Sequence, residues 1–226
     1  MMDERKIACI TCVNDERMYE EAALYIRHLD LPEGMSLELI PIRDAGSMAE
    51  GYDRAMRQSD AKYKVYLHQD VFVVYKEALV DLIRLFRSDV QIGLIGLAGC
   101  KAMPSNGVWW CAEERCGLVY QARYVESLQR YDFGPVGRPY ESVAAVDGFF
   151  LATQYDVPWR ADLFTDWHFY DASASMEFAR SGYRVVVPYC EEPWCVHSCG
   201  LKDLGEAYEE QQSVFLREYV AARGNR

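Results

Sequence analysis

No stretch of the sequence approaches about eighteen uninterrupted apolar residues, the length a membrane-spanning helix needs, so no transmembrane segment is expected. The opening M-M-D-E-R-K runs into a short apolar strand. It has neither a long apolar core nor a small-residue cleavage site to mark a secretory leader, and the expected setting is the cytosol. Basic residues are in short supply, because 24 Lys and Arg against 35 Asp and Glu leave a formal charge of -11. That balance excludes nucleic acid as a general partner and an anionic membrane surface as a docking site. An anionic ligand has to be held by local cations, backbone amides or a metal. Internal repeats, low-complexity tracts and linkers are also missing, so 226 residues, 50% of them hydrophobic, read as one domain with a substantial core.

Cysteine is not scarce. Cys9, Cys12, Cys100, Cys111, Cys116, Cys190, Cys195 and Cys199 would imply a disulfide framework in a small secreted chain, but this chain is neither small nor visibly secreted, and free thiols are expected. Cys9 and Cys12 form a C-x-x-C within an apparent strand, where an odd separation sends them to opposite faces.

The chain alternates strand-like and helix-like stretches. Lys6–Val13 reads as a first strand, Asn14-Asp15 as a turn into a helix, and Leu37–Ile42 as a second strand. Ser47-Met48-Ala49-Glu50 has the form of a capping box ahead of a helix whose apolar stripe is Met48, Tyr52, Ala55 and Met56. Lys64–Val74 reads as the central strand, Leu79–Phe86 as a helix and Gln91–Gly99 as another buried strand. Lys101–Tyr140 breaks the pattern and reads as an elaborated region of short strands with at least one long loop. Ser142–Thr153 then reads as a strand interrupted at Asp147-Gly148. A helix starting near His168–Asp171 follows, then a last strand at Tyr183–Pro188 and a helical tail from Leu204. Such alternation implies a mostly parallel sheet with right-handed crossovers.

Chemistry is expected where the central strand stops being apolar, at His68-Gln69-Asp70. Residues two apart on a strand share a face, so His68 and Asp70 should point the same way and could hold a divalent cation. A strand-end Asp that caps the next turn accounts for the same residues. Cys190, Cys195, His197 and Cys199, with Cys111 and Cys116, offer zinc-type ligands, although their spacing matches no finger or ribbon. Trp109, Trp110 and Trp167 could stack on a sugar face or simply pack in the core.

Several stretches together resemble the GT-A glycosyltransferases, and more narrowly the small family-two-like bacterial proteins. These are K-I-A-C-I-T-C-V-N, S-M-A-E-G-Y-D-R-A-M, Y-L-H-Q-D-V, V-D-G-F-F-L-A-T and D-W-H-F-Y-D-A-S-A-S-M-E-F-A-R-S-G-Y-R-V-V-V-P, in that order. The resemblance covers most of the chain. It implies a single GT-A-like, Rossmann-related α/β domain with a mostly parallel central sheet flanked by helices. Residues 1–100 would form a nucleotide-sugar-binding half, 101–203 an acceptor and catalytic half, and 204–226 a C-terminal helix.

Carried onto this sequence, the resemblance makes Asp70 the carboxylate for a metal or diphosphate, with His68 where the family has the first aspartate of its D-x-D. His68 would either favour Mn²⁺ over Mg²⁺ as a softer ligand or hydrogen-bond the ribose. Thr11, Asn14 and Asp44 fall where the family contacts base and ribose, and turn or cap roles fit them equally. Asp171 is the implied general base of an inverting transfer, and Asp147 a reserve base or acceptor contact. His197 would reach the metal or diphosphate, Lys202 would lend charge to the leaving group, and Trp109, Trp110, Trp167 and His168 would meet the acceptor.

The family's processive synthases carry Q-x-x-R-W and membrane helices, which this sequence lacks, so transfer of a single sugar is implied. The donor would be a nucleotide-diphosphate sugar and the acceptor a glycan, lipid-linked sugar or protein. The missing first aspartate also admits a catalytically inactive nucleotide-binding or interaction module, and the Cys/His cluster a zinc-stabilised interaction protein.

Overall fold

The computed structural model describes residues 2–122, 127–200 and 205–221. The chain opens with strand β1 (Asp3–Cys12), helix α1 (Glu16–Arg27), strand β2 (Ser36–Ile42) and helix α2 (Met48–Gln58). Asp15 caps α1 by accepting the Met18 N–H at 3.1 Å, which satisfies one of the helix's orphan donors. Ser47 caps α2 through the Glu50 N–H at 3.1 Å, while the Glu50 carboxylate reaches back to the Gly46 N–H rather than to that of Ser47. The capping box is thus present, offset by one residue at its return bond.

The expected central strand is two strands. Strand β3 (Ala61–Leu67) stops at the turn His68–Asp70, where the Val71 N–H bonds back to the His68 carbonyl at 3.2 Å, and strand β4 (Val71–Val73) continues in a different sheet. After helix α3 (Ala78–Ser88), the expected Gln91–Gly99 strand likewise divides into β5 (Ile92–Gly96) and β6 (Ala98–Cys100). Hydrophobicity hides both breaks because the segments on either side are buried alike. Lys64 is fully buried in the middle of β3, and its ammonium bonds the Ala61 carbonyl at 2.6 Å and the Asp156 carboxylate at 2.7 Å.

The elaborated region expected to hold short strands and at least one long loop does contain strands. After a short 3₁₀ turn at Trp109–Cys111, strands β7 (Arg115–Ala122) and β8 (Leu128–Gly134) pair antiparallel. Gly134, at φ +139, allows this pairing where a side chain would run into the Arg115 carbonyl of β7. The single interrupted strand expected over Ser142–Thr153 is instead the run β9 (Tyr140–Ser142), β10 (Ala145–Val146) and β11 (Phe150–Thr153). Helix α4 (Tyr170–Arg180) and strand β12 (Arg184–Pro188) follow. β12 is not the last strand, because β13 (Cys195–His197) comes before helix α5 (Gly205–Phe215) and a π turn at Leu216–Val220.

The central sheet has the order β2-β1-β3-β11-β5-β12-β9. β1 is parallel to β2 and β3, β12 is parallel to β5, and β11 lies antiparallel between β3 and β5. β2, β1, β3, β5 and β12 therefore share one direction, and their carboxyl ends share one edge. A second sheet, β10-β6-β7-β13-β4 with β8 on β7, abuts that edge.

The chain crosses between the sheets at His68–Asp70, at Leu97 and at Asp147–Phe149. The crossings are stitched by His68 N–H to the Phe149 carbonyl (3.2 Å), Asp147 N–H to the Ala98 carbonyl (2.9 Å) and Ser198 N–H to the Asp70 carbonyl (2.8 Å). Segments from either side of residue 100 interleave in both sheets, which makes the molecule one α/β unit.

Candidate functional site

The seam between the sheets opens into a cavity of about 910 Å³. Its floor holds His68, Asp70 and His197, whose donor atoms lie within 4.8 Å of one another. Asp70 Oδ1 stands 3.9 Å from His68 Nδ1 and 3.4 Å from His197 Nε2. The two imidazoles come from different places. His68 sits in the turn after β3, and His197 ends β13 paired in register with Val71. Phe149 stacks on the His197 ring at 5.3 Å, and the Tyr170 hydroxyl bonds His68 Nε2, so packing and a hydrogen bond orient the rings. His68 and Asp70 do converge, but through a turn rather than through strand alternation.

The donor set suits a divalent cation. Two borderline imidazole nitrogens beside one hard carboxylate oxygen fit Mn²⁺ better than the oxygen-seeking Mg²⁺. Among the described residues this is the one His/Cys/Asp/Glu cluster close enough to hold a metal, and His197 joins it rather than the cysteines. All eight cysteines are free. Burial pushes the thiols of Cys9 and Cys12 up to about 12 and raises that of Cys195 further, which keeps all three in the protonated, weakly reactive form.

Two further carboxylates line the same cavity. Asp147, at the β10–β11 crossing, accepts the Trp109 indole N–H at 3.1 Å and the Phe149 N–H at 3.0 Å. Burial raises its pKa, and the nearby His197 partly offsets the rise. Asp171, in the first turn of α4, accepts the Ala172 N–H at 2.8 Å. Its pKa is pushed up to about 7, first by burial and then by repulsion from Asp147, against the lowering effect of backbone N–H donors. A helix-start carboxylate would ordinarily be stabilised as the anion. Here burial and the neighbouring Asp147 override that tendency.

The local backbone is built to this end. Phe169, just before α4, is the one non-glycine residue among those described with a left-handed conformation (φ 59), a strained choice for an aromatic residue. It turns Tyr170 under the cavity, where a Cβ at Gly148 would overlap the Tyr170 hydroxyl. The bare backbone of the D-G pair therefore serves Tyr170.

Asn14 lines the cavity with Cys12 and Val13, and Gln69 holds it there. The Gln69 carbonyl oxygen accepts the N–H groups of Asn14 (2.9 Å) and Asp15 (3.0 Å), and its amide bonds the Asn14 side chain. Thr11 is buried within β1, and Asp44 is an exposed partner of Arg54 at 2.6 Å; neither lines the cavity. Lys202 lies outside the described residues.

Trp109, Trp110, Trp167 and His168 all line the cavity, but in different ways. Trp109 is buried, edge-on to Phe133 at 5.3 Å, with its indole N–H committed to Asp147. Trp110 and Trp167 are about two-fifths exposed, at 41% and 42%, and present ring surface to the opening. Gln69 lies within the expected His68-Gln69-Asp70 stretch but has no individual role in the sequence pattern, and neither has Tyr170 or Tyr208. Tyr208, on α5, brings its ring to 5.2 Å from His168 and closes the far wall. The polar Gln69 inside an apolar run was the one available signal for the first. Nothing local marks the other two.

The sequence profile of the glycosyltransferase-like family matches residues 8–219. Among solved structures, the chain is similar to the mannosyltransferase PcManGT of Pyrobaculum calidifontis, solved with GDP-Man and Mn²⁺. Identity is 13% and the TM-score 0.54, over 86% of this chain and 56% of that one. It is also similar to S. aureus TarS 1–349 in complex with UDP-GlcNAc (9% identity, TM-score 0.55, 88% of this chain and 60% of that one) and with UDP (10%, 0.55, 94% and 65%). The fold is thus that of GT-A glycosyltransferases, and the chain spans somewhat more than half the length of these relatives. No curated protein matches it.

Proposed function

This chain belongs to the glycosyltransferase-like family, and from that membership and its site we propose that it transfers a single sugar, with inversion, from a nucleoside diphosphate sugar to an acceptor hydroxyl. The observation that carries this reading is one cavity holding both a His-Asp-His cation site and, at Asp171, a carboxylate whose pKa of about 7 suits a general base at neutral pH. PcManGT with GDP-Man and Mn²⁺, and TarS with UDP-GlcNAc, support a donor of this class.

In this reading the nucleotide lies over the carboxyl ends of β1 and β3, against Asn14 as held by Gln69, and residues 1–100 supply most of the donor contacts. Thr11, Asp44 and Lys202 are secondary candidates there. His68, Asp70 and His197 would hold a divalent cation, which would neutralise the diphosphate as it leaves. Asp171 accepts the acceptor's hydroxyl proton on the face opposite the leaving group; burial, with repulsion from Asp147, keeps Asp171 basic, and Asp147 is the reserve base. The acceptor, a glycan, lipid-linked sugar or protein, enters between Trp110, Trp167 and His168, with Trp109 behind them. The reducing cytosol suits eight cysteines free of disulfides. No helix among the described residues is long and apolar enough to cross a membrane.

The test is thermal unfolding with UDP, GDP, CDP and dTDP, each with and without Mn²⁺, on wild type and Asp70→Ala. A ligand that binds only the native state raises the melting temperature by mass action. Stabilisation by one nucleotide that requires Mn²⁺ and is lost in Asp70→Ala is the expected result. It would be followed by release of that nucleotide from its sugar conjugate. No response to any nucleotide would favour an inactive interaction module on the same fold.

A further inference from the structure

Tyr170 sits where three independent features converge. Its ring is buried (4% exposed), edge-on to Tyr52 at 5.8 Å and beside Trp159 at 6.2 Å. The left-handed Phe169 sets its direction, and the missing side chain at Gly148 leaves room for its hydroxyl. All three bring the hydroxyl to His68 Nε2. An imidazole that holds a cation must do so through an unprotonated nitrogen, and its proton then resides on the other one. His68 Nδ1 faces Asp70, so a cation held there would leave the ring proton on Nε2, the nitrogen that meets the Tyr170 oxygen.

We infer that Tyr170 is a positioning residue: its hydroxyl oxygen holds His68 in the tautomer and ring orientation that present Nδ1 to a divalent cation beside Asp70 and His197. This inference rests on the cation site proposed above. It also accounts for a histidine standing where the resemblance expects an aspartate. A carboxylate presents either oxygen to a metal without help, whereas an imidazole needs a partner to choose its tautomer. Because Tyr170 immediately precedes Asp171, the same bond ties the cation site to the start of the helix that carries the base.

Tyr170→Phe keeps the ring and removes only the oxygen that meets His68 Nε2. Mn²⁺ binding is measured directly, by electron paramagnetic resonance of the free ion during titration, on wild type, Tyr170→Phe, His68→Ala and the double variant. The His68 tautomer is read from ¹⁵N chemical shifts in the metal-free protein. Weakening of Mn²⁺ binding by about 10–100-fold in Tyr170→Phe is expected. Two further results should accompany it: a shift of the metal-free His68 tautomer away from Nε2–H, and no further loss when Tyr170→Phe is added to His68→Ala. A merely structural tyrosine would weaken Mn²⁺ binding equally in both backgrounds and leave the tautomer alone, which would overturn the inference. Unchanged Mn²⁺ affinity in Tyr170→Phe would overturn it while leaving the cation site standing. A wild type that binds no Mn²⁺ would remove the cation site and this inference together.

Discussion

Asp171→Asn should make the protein more stable while destroying its activity, because the carboxyl proposed as the base is held in a place that penalises its charge. A carboxyl whose pKa rises from 3.8 to about 7 on folding costs the fold up to about 4 kcal/mol once ionised, at roughly 1.4 kcal/mol for each tenfold change in proton affinity. The carboxyl opens onto the cavity rather than sitting in dry core, and solvent there reduces the figure to about 2–3 kcal/mol. The sign follows from linkage. The folded state holds the Asp171 proton more tightly than the unfolded chain does, so wild type loses stability as pH rises from about 4 to about 7 and loses no more above that.

Asparagine mimics the neutral acid and escapes this loss. Calorimetric melting at pH 5, 6, 7 and 8 should therefore show Asp171→Asn melting higher than wild type at pH 8 by about 4–12 °C, with the gap closing toward pH 5. Transfer should fall by about 10²–10⁴-fold in the same variant, and the wild-type rate should rise through pH 7 as the base ionises. Asp147→Asn removes the repulsion and should move that rise to lower pH. A melting gap independent of pH, or wild type melting above Asp171→Asn at pH 8, would refute the assignment of a raised pKa to this carboxyl.

Three further outcomes follow from the same geometry. Trp167→Ala and Trp110→Ala, which trim exposed rings at the cavity mouth, should raise the acceptor KM several-fold with kcat and donor binding little changed, as steady-state kinetics in each substrate would show. Gly148→Ala places a methyl against the Tyr170 hydroxyl and should lower both the melting temperature and the activity, and Tyr170→Phe in the same chain should recover part of the stability. In the core, Lys64→Met removes a buried charge and leaves Asp156 with solvent access, so denaturant unfolding should place it within about 1 kcal/mol of wild type. Asp156→Ala strands the Lys64 ammonium and should cost about 2–4 kcal/mol.

The alternation of strands and helices was legible because each helix carries its own local signals. Ser47 and Asp15 at the helix starts, and stripes such as Met48, Tyr52, Ala55 and Met56, depend only on neighbours within a few residues. The second sheet was not legible. β4 and β6 are three residues each, buried, and continuous in hydrophobicity with the longer strands before them, so the pattern carries no mark of a change of sheet. The β7–β8 pairing was missed for a related reason. Its partners are chosen by register and by the bare backbone of Gly134, neither of which alters the composition of a polar, aromatic segment.

The site was legible where a polar residue breaks an apolar run and obscure where a residue acts through packing. His68, Asp70 and Asp147 stand out because each interrupts a buried strand, and each interruption marks a crossing between the sheets. That coincidence has a physical cause. At a crossing the ladder of one sheet ends before that of the next begins, so the side chains there lose their strand neighbours and border the gap between the sheets. In this molecule that gap is the cavity. Polar residues tolerated at such a place already sit beside whatever ligand enters it. Tyr170 and Tyr208 reach the same cavity from helices, as aromatic residues among other aromatics, and only the assembled fold distinguishes them from Tyr52 or Phe164. Interruptions in buried strands are therefore the residues to test first for direct ligand contact, whereas the groups that aim them become visible only through hydrogen bonds such as the one between His68 and Tyr170.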